Sequence, residues 1–169
     1  MPGYVMHIAI GQEYAKKHNS IENYDEFIKG NILPDLSKEK SETHYGKSPA
    51  FTSLKEFLKN NEINTSLNQG IFLHLIADYL FYNHYLDRID KKILHNDYDL
   101  INKSLIEEYD VVLLDEIKDN VFFKDGDPQI LNVDLAKKVI SEVSDLDMFE
   151  VKKEVLSDDK KWSLYKNLI

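Results

Sequence analysis

The stretch HLIADYLFYNH, residues 74 to 84, sets His74, Asp78 and His84 inside a run that is otherwise largely apolar. On a helix turning about 100° per residue, His74 and Asp78 lie one turn apart and roughly 40° around the axis, so both side chains can reach one ion. His84 falls roughly 120° from Asp78 and about 9 Å further along, which suits a second ion nearby. Side chains lean toward the helix N-terminus, which points His84 back at Asp78. Polar groups buried in an apolar helix need partners, and a cation is one such partner. The segment HNDYD repeats the four-residue spacing at His95 and Asp99, PDLSKEKSETHYG offers Asp35 and His44, and His7 sits between Met6 and Ile8. Each has a plainer reading when taken singly. His7 reads as a core histidine, Asp35 as a helix cap, His74 with Asp78 as a hydrogen bond, and His95 with Asp99 as part of a solvated face. The chain has no cysteine, so a metal site here must use nitrogen and oxygen ligands.

Taken in order, the set is His, Asp, His, then His-x3-Asp-x5-His, then His-x3-Asp, and it uses five of the six histidines. This pattern resembles the zinc-dependent phospholipase C family, whose superfamily includes zinc nucleases of single-stranded nucleic acid. The match is fullest at His74-x3-Asp78-x5-His84 and continues at His95-x3-Asp99, where the family more often has glutamate in the second place. The resemblance covers roughly residues 1 to 100. It implies one zinc held by Asp35, His44, His74 and Asp78, and a second by His84, His95 and Asp99. Asp78 would bridge to a third zinc shared with His7. It also implies hydrolysis of a phosphodiester or phospholipid by a metal-bound hydroxide, with Asp35 and Asp78 as the catalytic carboxylates. Secreted members of the family complete the third site with an N-terminal tryptophan; here the start is MPGYVMH and the only tryptophan is Trp162.

These ligands must be positioned by helices. GYVMHIAIGQEYAKKH suits a first helix with lysines at its C-terminal end. SIENYDEFIKGNILPDL reads as a short helix with a serine cap, stopped by Gly30 and Pro34. SKEKSETHYGKSP reads as a polar loop, and AFTSLKEFLKNN as a short helix. A long apolar helix starts near Asn68, and one long or two shorter helices follow over DKKILHNDYDLINKSLIEEYDVVLLDEIKDNV. KDGDPQ is a turn. Beyond it, NVDLAKKVISEV, DLDMFEVKKEVL and DDKKWSLYKNLI each begin with a cap residue and carry apolar spacings of three and four. The expectation is an all-α, single-domain multi-helix bundle over residues 1 to 169, with a metal site between its helices.

Bulk properties narrow the function classes. With 43% hydrophobic and 30% charged residues in 169, the chain can bury a sizeable core. A net charge of −9 disfavours nucleic acid and anionic lipid as partners and leaves a small phosphodiester or phospholipid substrate. The start lacks the pattern of a signal peptide and no run reaches the roughly 18 apolar residues of a membrane span, so a cytoplasmic location without membrane insertion is expected. The alternative to an enzyme is a non-catalytic protein of the same fold that is stabilised by metal or binds a partner.

Overall fold

Side-chain caps open most of the helices. In the computed structural model, which describes residues 3–166, α1 spans Gly3–Lys17, α2 Tyr24–Leu36, α3 Lys40–His44 and α4 Leu54–Asn60. Then come α5 Ser66–Leu80, α6 Lys91–Tyr109, α7 Val133–Asp145 and α8 Met148–Leu156. Asn23 accepts from the Glu26 amide, Ser53 from Glu56, Thr65 from Asn68, Asp90 from Ile93 and Asn132 from Leu135, each meeting one amide that the first turn leaves open. Among the described residues there are no strands, and the fold is all-α and single-domain. No helix among them is long and apolar enough to cross a membrane.

α5 is buried on nearly every face, as expected of a central helix. It packs on α2, α1, α4, α7 and α8, while α1 reaches α2, α6 and α7. The tightest crossing joins α2 to α5 at two glycines. A Cβ on Gly30 would lie 2.1 Å from the Leu67 carbonyl oxygen, and one on Gly70 would lie 2.1 Å from the Phe27 carbonyl oxygen. Gly30 therefore does not stop α2. It lets α5 approach backbone to backbone, and the helix continues through Pro34 into its last turn. The cap of α2 is Asn23 rather than Ser20.

Three other expectations are revised. The polar loop after α2 contains α3, which ends at Tyr45 in the left-handed region (φ 57°). The single helix α6 ends at Asp110, also left-handed (φ 49°), and residues 111–132 carry only a 3-10 turn at Lys118–Asn120. The buried Asp97 carboxylate pins that segment, accepting backbone N–H groups from Gln129, Ile130 and Leu131 at 2.7–3.0 Å. Past α8, only a 3-10 turn forms at Lys160–Trp162. The Tyr79 hydroxyl lies 2.6 Å from the Lys161 and Leu164 carbonyls, replacing helical bonds there; residues 167–169 of the expected last helix lie outside the described residues.

Gly70→Ala forces α2 away from α5 and should cost about 3 kcal/mol of unfolding free energy, measured by urea denaturation. A cost near zero would contradict the backbone contact.

Candidate metal centre

Three helices converge on one buried spot. α5 contributes His74 and Asp78, one turn apart on the same face. α2 contributes Asp35 from its last turn, and α3 contributes His44 as its final residue. The Thr43 hydroxyl donates to the Pro34 carbonyl at 2.8 Å, folding α3 back over the end of α2 so that His44 faces Asp35. The Ser53 amide on the His44 carbonyl (3.2 Å) and the Asn61 amide on the Tyr45 hydroxyl (3.0 Å) hold the far side of α3. Tyr45 thus supports the bend from outside, packed on Phe57.

Both imidazoles are oriented by carbonyl oxygens, which can only accept. His74 Nδ1 lies 2.7 Å from the Asn31 carbonyl and His44 Nδ1 lies 3.0 Å from the Lys40 carbonyl, so each Nδ1 carries a proton and donates it. Both Nε2 atoms then face inward, 3.2 Å apart. His44 Nε2 is 3.0 Å from Asp78 Oδ2 and 3.4 Å from Asp35 Oδ1; His74 Nε2 is 3.3 Å and 3.8 Å from the same two oxygens. Ligands placed ~2.0–2.1 Å from a tetrahedral zinc stand about 3.3 Å from each other. The separations match that geometry, and all four residues are 0–4% exposed. They form the one group of three or more metal-ligating side chains among the described residues that can hold a metal ion.

His7 faces the other oxygen of each carboxylate. Its Nε2 is 3.2 Å from Asp78 Oδ1 and 3.8 Å from Asp35 Oδ2, and its ring stacks on His74 at 3.7 Å. Both His7 ring nitrogens and both Asp35 carboxylate oxygens are buried without a hydrogen bond. Such groups in an apolar interior signal a bound cation or a deliberate strain.

The remaining expected ligands lie elsewhere. His84 is in a π turn at Phe81–Tyr85 that follows α5, where Asn83 takes the inward position and His84 is exposed. Burial and the Lys161 and Lys166 ammonium groups lower the His84 pKa, and those cations also repel a metal ion. His95 is exposed and Asp99 is half-buried, ion-paired to Lys124 at 3.1 Å. The three do not assemble into a second zinc site, and five of the eight expected ligands converge rather than all eight. His95 and Asp99 instead line a cavity of about 360 Å³ with Tyr4, Tyr98, Asn102 and Phe122. This cavity adjoins the centre. The Tyr4 hydroxyl donates to the Asp35 carbonyl at 3.1 Å, and burial together with the Asp78, Asp35 and Asp97 carboxylates pushes the Tyr98 phenol well above its usual range, so it keeps its proton.

Tyr4, Lys40 and Asn31 are residues that motif reasoning missed. Lys40 donates to the Asp35 carbonyl and lies 3.6 Å from Asp35 Oδ1. Asn31 orients His74 through its carbonyl and bonds the His7 carbonyl through its side chain. The adjacent Gly30 was the sequence signal for that close approach. No family model, curated protein or solved structure matches the chain.

Charge in the metal-free cluster is finely divided. Burial lowers the His44 pKa, but the Asp35 and Asp78 carboxylates outweigh it and lift the group to about 9. Burial and the stacked His74 lower His7 to about 4. Burial raises the Asp35 carboxyl, but the His74, His44 and His7 imidazoles outweigh it and hold the group at about 2. The lifted His44 contributes stability that is complete below its unfolded pKa near 6.5 and lost as pH rises through about 9. The depressed His7 acts oppositely, because unfolding lets it bind a proton between about 4 and 6.5. Asp35 adds a further loss as pH falls from 3.8 through about 2. Chelated protein should therefore be most stable near pH 6.5 and lose stability toward pH 9. Metal-loaded protein should melt higher at pH 7 and show no such loss, since the metal replaces the His44 proton. Thermal midpoints from pH 5 to 9, with and without chelator, check this; superimposable profiles from a sample shown to contain metal would contradict it.

Proposed function

We propose that the protein is a metal-dependent phosphoester hydrolase, a phosphodiesterase of the phospholipase C type that uses zinc. The observation that carries this reading is the meeting of His44 and His74, through their Nε2 atoms, with one oxygen each from Asp35 and Asp78 in a sealed interior. The ordered His and Asp pattern of the zinc-dependent phospholipase C family supports it, and the net charge of −9 favours a small ester over nucleic acid. A metal held in this cluster with a coordination position left open would supply Lewis acidity and lower the pKa of a water for attack on phosphorus.

The chain's own residues do the rest. The Asn31 and Lys40 carbonyls fix the two imidazoles. Asp35 and Asp78 each turn their second oxygen toward His7, and a further ion there would be shared by His7 and Asp78. So few protein ligands would leave coordination positions open to water, as catalysis requires. Asp35, whose Oδ1 lies 3.6 Å from the Lys40 ammonium, is the candidate to orient the attacking water or take its proton. Tyr4 and the protonated Tyr98 line the space where the ester sits.

One observation favours a non-catalytic, metal-stabilised protein instead. The four-residue set closes a tetrahedral shell by itself and is buried, which is the habit of structural zinc. The experiment separating the two is metal analysis of protein purified without chelator, followed by a panel of phosphodiesters beginning with nitrophenyl phosphocholine near neutral pH. Asp78→Asn should cut hydrolysis about 100-fold or more, since changing even a partner of a metal ligand costs about 10–100-fold and Asp78 is itself a ligand candidate. Asp99→Asn, which loses the Lys124 pair at the cavity wall but no metal contact, should cost less than Asp78→Asn. Full metal occupancy without hydrolysis of any phosphoester would leave the structural reading. Hydrolysis that survives Asp78→Asn would show that the roles within the centre are assigned wrongly.

A further inference from the structure

A second cavity, of about 210 Å³, lies on the other side of His95 from the tyrosine-lined cleft. Pro49, Ala50, Tyr82 and Ile89 form its apolar part, and its polar lining includes Lys40, Lys91 and His95. No carboxylate lines it, in a chain that carries 30 acidic residues against 21 basic ones. Lys91 and His95 stand one turn apart on the same face of α6, at the helix end where the backbone dipole is positive. The acidic cap Asp90 spends one oxygen on the Ile93 amide and does not line the cavity. Lys91 makes no ion pair among the described residues. Lys40 joins this cavity to the metal centre, because its ammonium bonds the Asp35 carbonyl and stands beside the Asp35 carboxylate.

We propose that this cavity is the subsite for a second anionic group on the substrate, a phosphate or carboxylate next to an apolar moiety, so that the preferred ester carries a further negative charge rather than a choline-like cation. The inference rests on the hydrolase reading for the word substrate, but the anion site itself stands on Lys40, Lys91, His95 and the cavity. The volume is below the ~300 Å³ at which pockets hold a whole drug-sized ligand, which suits a subsite for one substituent. Lys40 and Lys91 supply ammonium donors and His95 supplies a ring N–H, and the apolar wall beside them takes the apolar moiety next to the anion. A quaternary ammonium would meet two like charges there.

The test uses the full zinc-loaded chain and two probes that cannot be hydrolysed. Phenylphosphonate joins an apolar ring to a phosphonate anion, and benzyltrimethylammonium is its cationic counterpart. Ring signals of His95, assigned with His95→Gln, are followed by NMR. Phenylphosphonate should shift them saturably, benzyltrimethylammonium should not, and Lys91→Gln should weaken phenylphosphonate binding about tenfold, the loss of one charge-assisted contact. A kinetic arm compares nitrophenyl phosphodiesters bearing a carboxylate or a trimethylammonium group. The carboxylate ester should have the lower KM, and Lys91→Gln should erase that preference while leaving kcat within about twofold, because the contact is made equally in ground and transition states. Unmoved His95 signals, or binding that Lys91→Gln leaves intact, would overturn the proposal. Lys91-dependent binding with no hydrolysis of any ester would overturn the hydrolase reading and keep the anion site. Hydrolysis with no charge preference, and no effect of Lys91→Gln on binding, would do the reverse.

Discussion

Two imidazole nitrogens face each other at 3.2 Å in the buried interior, with carboxylate oxygens beside both. Their outer nitrogens keep their protons and donate hydrogen bonds to the Asn31 and Lys40 carbonyls. Left alone, the inner lone pairs would repel each other and the carboxylates, away from the screening of bulk solvent. A positive charge at that spot resolves the conflict. In the metal-free protein it is the extra proton on His44; with a metal it is the ion, and the proton leaves. The centre is thus a place where proton and metal compete for one set of ligands.

The rest of the fold serves that constraint. α2 and α5 touch backbone to backbone at Gly30 and Gly70, which brings the Asn31 carbonyl within 2.7 Å of His74. Thr43 ties α3 to the end of α2 and so sets His44 against Asp35. α1 is buried over most of its length, which places His7 over the second oxygens of both carboxylates. Opening the α2–α5 crossing would dismantle the ligand set even with every ligand still in the chain.

The sequence made the helical class and the ligands on α5 legible, because the 3.6-residue period and the His74–Asp78 spacing are local. Asp35 and His44 were legible as ligands only through the order of a longer pattern, since nothing local predicts α3 or its fold back onto Pro34. Gly30 was misread as a stop because a glycine that permits a close crossing looks the same, in one sequence, as a glycine that ends a helix. His84 was misplaced because the π turn at Phe81–Tyr85 rotates it outward, and no periodicity announces such a turn. Lys40 and Tyr4 act through backbone carbonyls, which leave no motif.

X-ray absorption at the edge of the metal retained by the purified protein tests the central claim most directly. The account predicts a first shell with two imidazole nitrogens and carboxylate oxygens, and a His74→Gln variant that shows one imidazole fewer or no longer retains the metal. A shell of oxygen alone, or one unchanged by His74→Gln, would mean that the metal does not sit where the imidazoles of His44 and His74 meet.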